Sequence, residues 1–236
     1  MLSKNKISKY KFDTKKFPFR EIFNNFSIKN CGLGIDELHK TKIQDLIPQE
    51  ILKTGDDSKQ PYCEFFYNID DEFDSFDRRL ENKFIKENTF MKIYRSLIND
   101  LKDNLFKDEI VYQKKPTIRV HLPGNVSTGT YHRDSDYGHS IEEINFWLPL
   151  VNVQKTTSLY IEDDYMSENY KPIELNYGEI LIFNSLLKHG TEINTENYTR
   201  VSFDFRIMLA SQYQENSKVS YVRNKQFIIG SYYEKL

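Results

Sequence analysis

Cysteine is scarce in this chain: two, Cys31 and Cys63, among 236 residues. That is too few for the disulfide framework on which small secreted domains rely, so a reducing compartment and two ordinary thiols are expected. Long apolar runs are missing as well. No stretch approaches the ~18 apolar residues of a membrane-spanning helix. The first residues, Met1-Leu2-Ser3-Lys4-Asn5-Lys6-Ile7, are charged and lack the apolar core of a secretory leader. Neither sign of charge prevails: 33 Lys+Arg stand against 35 Asp+Glu, a formal −2. This balance gives no electrostatic reason to expect nucleic acid as a partner. Repeats, low-complexity tracts and linker-like segments are also missing. The expectation is a soluble, cytoplasmic, single-domain protein over 1–236 that acts on a small molecule.

Aromatic residues are plentiful. Seventeen Phe and sixteen Tyr supply large apolar area although only 39% of residues are hydrophobic, which argues against disorder. Residues 1–26 alternate basic and aromatic side chains, a pattern open to a solvated arm or an edge strand. Gly32-Leu33-Gly34 lacks the third glycine and preceding strand of a phosphate loop and reads as a plain turn. From Asp36, Leu38, Ile43, Leu46 and Ile47 suggest a short helix ended by Pro48. The acidic and aromatic stretch 54–82 lacks calcium-loop spacing and reads as a solvated loop around buried rings. A helix over 89–106, capped by Asn88, is the clearest element. Phe90, Ile93, Tyr94, Leu97, Ile98, Leu101 and Leu105 fall on one of its faces.

After Pro116 the pattern changes to short β-rich segments at 117–122, 128–134, 143–150, 158–162, 173–175, 179–184, 190–193 and 199–209. About eight strands without intervening helices predict a mainly β fold, a double-sheet jelly roll over 111–210. Residues 1–110 would support it as a mostly helical and irregular buttress, with 211–236 as a C-terminal extension.

The chemistry gathers at Tyr131-His132-Arg133-Asp134. On a strand, residues i and i+2 share a face, so His132 and Asp134 project together while Arg133 points away. An imidazole beside a carboxylate is two-thirds of a 2-His-1-carboxylate facial triad, which holds non-haem iron and leaves positions open. His189, in Leu187-Lys188-His189-Gly190, is the candidate third ligand. Alone the triplet is weak, since chance supplies one in roughly a third of such chains. The last strand strengthens it. Arg200, Ser202, Asp204 and Arg206 fall on one face and Val201, Phe203, Phe205 and Ile207 on the other. The planar fork of Arg200, with the Ser202 hydroxyl, suits a carboxylate. The bland alternative pairs Arg200 with Asp204 on an exposed face.

Together, His132-Arg133-Asp134, His189 and Arg200 resemble the Fe(II)/2-oxoglutarate-dependent oxygenases of the double-stranded β-helix (jelly-roll) fold. The similarity extends through Pro116-Thr117-Ile118-Arg119-Val120, HRDSDYGH at 132–139, Glu143-Ile144-Asn145-Phe146-Trp147-Leu148-Pro149-Leu150 and TRVSFDFR at 199–206. It is greatest to the streptomycin-biosynthesis oxygenase-like branch found with carbohydrate gene clusters, and it spans about residues 110–210.

The resemblance implies Fe(II) bound by His132, Asp134 and His189, with 2-oxoglutarate and O2 as cosubstrates. It implies that Arg200 holds the distal carboxylate of 2-oxoglutarate and that Thr191, with Ser202 as competitor, adds a hydroxyl. Asn145 and Trp147 would line the cosubstrate cavity, although core packing is an equal reading for Trp147. Arg119 could meet cosubstrate or an acidic substrate. His121, His139 and Arg206 are substrate-side candidates, with an exposed turn the alternative for His139. Halogenating relatives carry a small residue in place of the acid, so Asp134 points to hydroxylation or a related oxidation. Two rivals lack the need for Arg200: a cupin-like metal-dependent sugar isomerase or epimerase, and a non-catalytic jelly-roll carbohydrate-binding protein. No Ser-His-Asp or Cys-His arrangement suggests a nucleophilic mechanism.

Overall fold

Strand β9 (Arg200–Leu209) is the longest strand of the computed structural model, which describes residues 7–40, 88–124, 131–220 and 225–236. Its alternation of apolar and polar residues sorts the molecule into two sides. Val201, Phe203, Phe205 and Ile207 are fully buried against helices. Phe203 meets Phe19, Phe90 and Tyr94 edge-on at ring-centroid distances of 5.0, 5.5 and 6.4 Å. These rings belong to helices α1 (Phe19–Cys31) and α2 (Asn88–Leu101). Edge-on aromatic contacts of this kind add roughly 0.5–1.5 kcal/mol each beyond area burial. They anchor the helices to the rear face of the sheet.

Among the described residues, the main sheet has seven strands. β9 pairs along one edge with β4 (Ile144–Pro149), which leads to β7 (Glu179–Asn184) and then to the edge strand β1 (Ser8–Lys11). Along its other edge β9 pairs first with β3 (Thr117–His121) and further on with β2 (Ile110–Gln113), which pairs with β10 (Tyr233–Lys235). A small sheet of β6 (Tyr170–Ile173), β5 (Leu159–Glu162) and β8 (His189–Gly190) contributes Leu159 and Ile161 to the same core. The protein is therefore mostly β. No helix among the described residues is long and apolar enough to cross a membrane.

Several boundaries differ from the sequence reading. Residues 128–130 of the expected strand lie outside the described residues; of 131–134, only His132 pairs, as a single bridge to His189, and Asp134 opens a 3-10 turn (Asp134–Tyr137). Gly138, left-handed at φ 88°, closes that turn, so the chain leaves the sheet as soon as the two ligand candidates are placed. Strand pairing after His189 ends at Gly190, and β6 spans Tyr170–Ile173, with Leu175 only bridging Val153.

Helix α2 stops at Leu101 and passes into a π turn (Lys102–Phe106), which leaves Leu105 exposed. Asn88 is its first residue. The N-terminal arm is an edge strand whose Lys9 and Lys11 face outward, a common guard against strand addition. The segment after residue 211 contributes β10 to the main sheet. Asp36 and Leu38 lie in a 3-10 turn (Ile35–Lys40); Ile43 to Pro48, the 54–82 stretch and Cys63 lie outside the described residues.

Candidate metal centre

The 3-10 turn and the strand bridge fix the triad. Arg133 is extended (φ −102°, ψ 136°), so its neighbours His132 and Asp134 still project to one side, as strand geometry requires. Arg133 turns the other way. Its guanidinium holds both oxygens of the buried Glu162 at 2.9 and 3.0 Å and donates to the Leu186 carbonyl. The backbone of His132 exchanges both hydrogen bonds with that of His189, each at 2.9 Å, which brings the second imidazole alongside the first. Gly190 makes this approach possible: a Cβ there would lie 2.9 Å from the Tyr131 ring and 3.1 Å from its Cα.

The ligand-capable atoms of His132, Asp134 and His189 all lie within 4.8 Å of one another. From Asp134 Oδ1, the Nε2 atoms of His132 and His189 are 3.6 and 3.9 Å away. Adjacent ligands of an octahedral ion bound at ~2.1 Å stand ~3 Å apart, so the carboxylate–imidazole spacings exceed that by under an ångström. His189 Nδ1 is 3.0 Å from the Leu187 carbonyl, which fixes the proton there and turns Nε2 to the centre. Burial pushes the His189 imidazole down to about 4, against the attraction of Asp134, so the ring is in its neutral, metal-binding form. Burial alone would raise the Asp134 carboxyl; the Arg206 guanidinium, aided by His132 and His189, holds it well below the usual range.

The remaining candidates other than Thr191 and His139 lie on strands of the main sheet. Register places Arg200 opposite His121, Ser202 opposite Arg119 and Pro149, and Asp204 opposite Thr117 and Trp147. Asn145 stands opposite Arg206 and Phe183. Between this face and the small sheet lies a cavity bounded by His132, His189, Asn145, Trp147, Thr191 and Arg200, together with Arg119, Asp204 and Arg206. Its free volume of about 40 Å³ holds a few waters, so a larger ligand needs side-chain rotation.

Arg200 is buried, donates to the Thr157 carbonyl at 3.2 Å and lies 5.6 Å from the Trp147 ring centroid. Asp204 pairs instead with Arg119 Nε at 3.2 Å and Arg206 Nη1 at 2.6 Å. Arg206 also reaches Asp134, so it stands behind the triad. His121 is buried beside Arg200 in the sheet and is not among the residues bounding the cavity. His139 is no exposed turn residue. Its Nδ1 lies 2.8 Å from the buried Glu143, which also accepts from Tyr233, and its ring packs on Phe227.

Among the described residues, the buried oxygens Thr191 Oγ1, Ser202 Oγ and Asn145 Oδ1 have no hydrogen-bond partner. Two of these residues, Thr191 and Asn145, bound the cavity. Buried polar atoms of this kind cost ~1–3 kcal/mol each unless a ligand or water satisfies them. The sequence left three participants without a role at the centre: Asp204, Gly190 and Glu162. Asp204 was visible on the polar stripe of β9 and Gly190 beside His189, but Glu162 gave no signal.

No family model matches the chain. It is 34% identical over 143 residues to the streptomycin biosynthesis protein StrG of Streptomyces griseus, a match covering 60% of this chain and 68% of that one. Partial likeness extends to solved structures. The non-haem α-ketoglutarate-dependent epimerase SnoN of nogalamycin biosynthesis overlaps at 16% identity and a TM-score of 0.42, over 50% of this chain and 57% of its own. EvdO2 of Micromonospora carbonacea var. aurantiaca, complexed with 2-oxoglutarate, overlaps at 12% and 0.38, over 55% and 63%. The chain thus spans less than two thirds of either structure.

Proposed function

The chain belongs to the family of the streptomycin biosynthesis protein StrG, and from that footing we propose that it is a non-haem Fe(II)- and 2-oxoglutarate-dependent dioxygenase. The fold reading that goes with it is a double-stranded β-helix, the main and small sheets forming its two walls. One observation carries the proposal: the two histidines of the His132, Asp134, His189 cluster line a cavity with the buried Arg200, and Thr191 there has a hydroxyl awaiting a partner.

The donor set fits the metal. Two imidazoles and one carboxylate on one side of an ion match the facial triad of non-haem Fe(II) enzymes. The donor set also fits the cosubstrate, because a guanidinium with nearby hydroxyls satisfies a carboxylate that has no donors of its own. When bound, Fe(II) with 2-oxoglutarate and O2 supplies the oxidising power, with succinate and CO2 as co-products.

This chain's residues orient and exclude. His132, Asp134 and His189 hold the ion from the protein side and leave the cavity side open. Arg200, supported on the Trp147 face, holds the distal carboxylate, with Thr191, or in competition Ser202, donating to it. Trp147, Leu159 and Phe183 limit water around the reacting groups. Occupation requires the cavity to widen by side-chain rotation. The reaction we infer is hydroxylation, or a related oxidation, of a small polar metabolite such as a sugar or sugar-derived intermediate. The biosynthetic name of the relative favours that class.

Anaerobic addition of Fe(II) and then 2-oxoglutarate tests the reading. A weak charge-transfer band near ~500 nm is the expected result for this cofactor pair. Absence of the band together with absence of succinate release on admitting O2 would overturn it. A metal-dependent sugar isomerase would bind the ion and show neither.

A further inference from the structure

Asp134 uses its two oxygens differently. Oδ1 faces His132 and His189 at 3.6 and 3.9 Å. Oδ2 accepts three hydrogen bonds: from Asn145 Nδ2 at 2.8 Å, from Arg206 Nε at 3.2 Å and from Arg206 Nη2 at 3.1 Å. Arg206 is itself immobilised, since its Nη1 donates to Gln113 Oε1 at 3.1 Å and to Asp204 at 2.6 Å. Asp204 is in turn held by Arg119, and Gln113 donates onward to the Lys115 carbonyl. All of Asp134, Asn145, Gln113 and Arg206 are buried.

We propose that Asn145 and Arg206 are positioning residues that sequester Asp134 Oδ2, so that the carboxylate offers a metal one oxygen and never two. The inference rests on the triad being a metal site. An octahedral ion has six positions. Two imidazoles and one oxygen leave three open, enough for a bidentate cosubstrate and one further ligand. A bidentate Asp134 would leave two, and a chelating cosubstrate would then fill the site. The clamp therefore protects the vacancy on which the proposed reaction depends.

The orientation of Asn145 follows from charge. Asp134 accepts only, so the amide must turn its Nδ2 to the carboxylate and present Oδ1 to the cavity. That oxygen has no partner in the structure. Being an acceptor, it repels the carboxylates of 2-oxoglutarate and suits a donor such as a water or a substrate hydroxyl. Asn145 is thereby removed from the cosubstrate anchors.

The test replaces the donor without emptying the space: Asn145→Leu, with Arg206→Lys as a second variant that keeps the charge and loses the paired N–H groups. Metal-loaded minus metal-free infrared difference spectra report the gap between antisymmetric and symmetric carboxylate stretching, which is wide for a one-oxygen ligand and narrow for a two-oxygen one. Co(II) or Fe(II) serves equally. The gap should narrow in both variants with one ion still bound per chain. At saturating Fe(II), affinity for 2-oxoglutarate should fall about tenfold, the lower end of what outer residues of metal sites contribute. An unchanged gap overturns the clamp. So does a joint loss of metal affinity and melting temperature with the gap unchanged, the mark of a merely structural role. A wild-type protein that binds metal but not 2-oxoglutarate would instead overturn the oxygenase reading, and the infrared comparison would still decide the clamp.

Discussion

At the triad end of the cavity, the hydrogen-bonding capacity of Asp134 Oδ2 is filled by Asn145 and Arg206, the His189 imidazole is held by the Leu187 carbonyl, and the backbones of His132 and His189 are bridged. At the Arg200 end, two buried hydroxyls, Thr191 Oγ1 and Ser202 Oγ, have no partner. The first arrangement is complete before any ligand arrives; the second is completed by one. On the proposed function, the difference follows from what each end would bind. A cation of fixed geometry tolerates little movement of its ligands, so their orientations are set in advance by outer hydrogen bonds. A flexible diacid brings its own acceptors, and donors left unsatisfied for it gain most when it docks.

The largest expected effect breaks the triad end. Asp134→Ala removes a ligand for which the site holds no substitute, and it leaves Arg206 buried with one fewer anion. Fe(II) bound per chain after anaerobic equilibrium dialysis should fall from one to none. Retained one-to-one iron would show that the ligand set is misassigned.

Breaking the other end should separate the two functions. Arg200→Ala should leave iron stoichiometry intact and weaken 2-oxoglutarate binding by ~2–5 kcal/mol, about thirtyfold or more in Kd. Titration of the charge-transfer band measures it. Should only substrate affinity change, Arg200 is not the anchor of 2-oxoglutarate.

A smaller effect tests how the two ends are joined. Gly190 lies between His189 at the triad and Thr191 at the anion end, with the Tyr131 ring and backbone against it. In Gly190→Ala the new methyl must displace Tyr131, and with it the bridge to His132. Overpacking of this sort costs ~1–3 kcal/mol. A lower melting temperature and weakened iron binding should appear together. Unaltered iron affinity would mean that the bridge does not set the distance between the imidazoles.

The two ends were also unequally legible in the sequence. His132, Asp134, His189 and Arg200 could be picked out because residue type and strand periodicity survive even where the strand does not. The strand reading at 128–134 was wrong at Asp134, yet the pairing of side chains held, since one extended residue, Arg133, suffices to align its neighbours. What periodicity cannot carry is partnership across the sheet. Arg119 and Arg206 read as ligand anchors because free arginines in a cavity suggest anions; their anions are Asp204 and Asp134, brought alongside by register. Helix α1 was missed because its charged residues obscured Phe19, Phe23 and Phe26, which are spaced for one helical face and followed by the left-handed Gly32. The burial of His139 depended on residues almost ninety or more positions away, Phe227 and Tyr232, and was beyond local reading.

The smallest expected effect is also the most specific to the contrast between the ends. Thr191→Val keeps the shape of the side chain and removes the hydroxyl. In most buried positions that exchange destabilises a protein, because a hydrogen bond is lost. Here Thr191 Oγ1 has no partner to lose and is buried without compensation. Stability without ligand should therefore be unchanged or slightly raised, read as a melting temperature equal to or above that of the unaltered chain. Affinity for 2-oxoglutarate should move the opposite way, weakening by ~0.5–1.5 kcal/mol, or about two- to tenfold in Kd, as one neutral-to-carboxylate donor is withdrawn. Opposite signs on stability and binding from one atom distinguish a hydroxyl kept for a ligand from one kept for the fold. A drop in melting temperature with 2-oxoglutarate affinity untouched would reassign Thr191 to the core and leave Ser202 as the hydroxyl that serves Arg200.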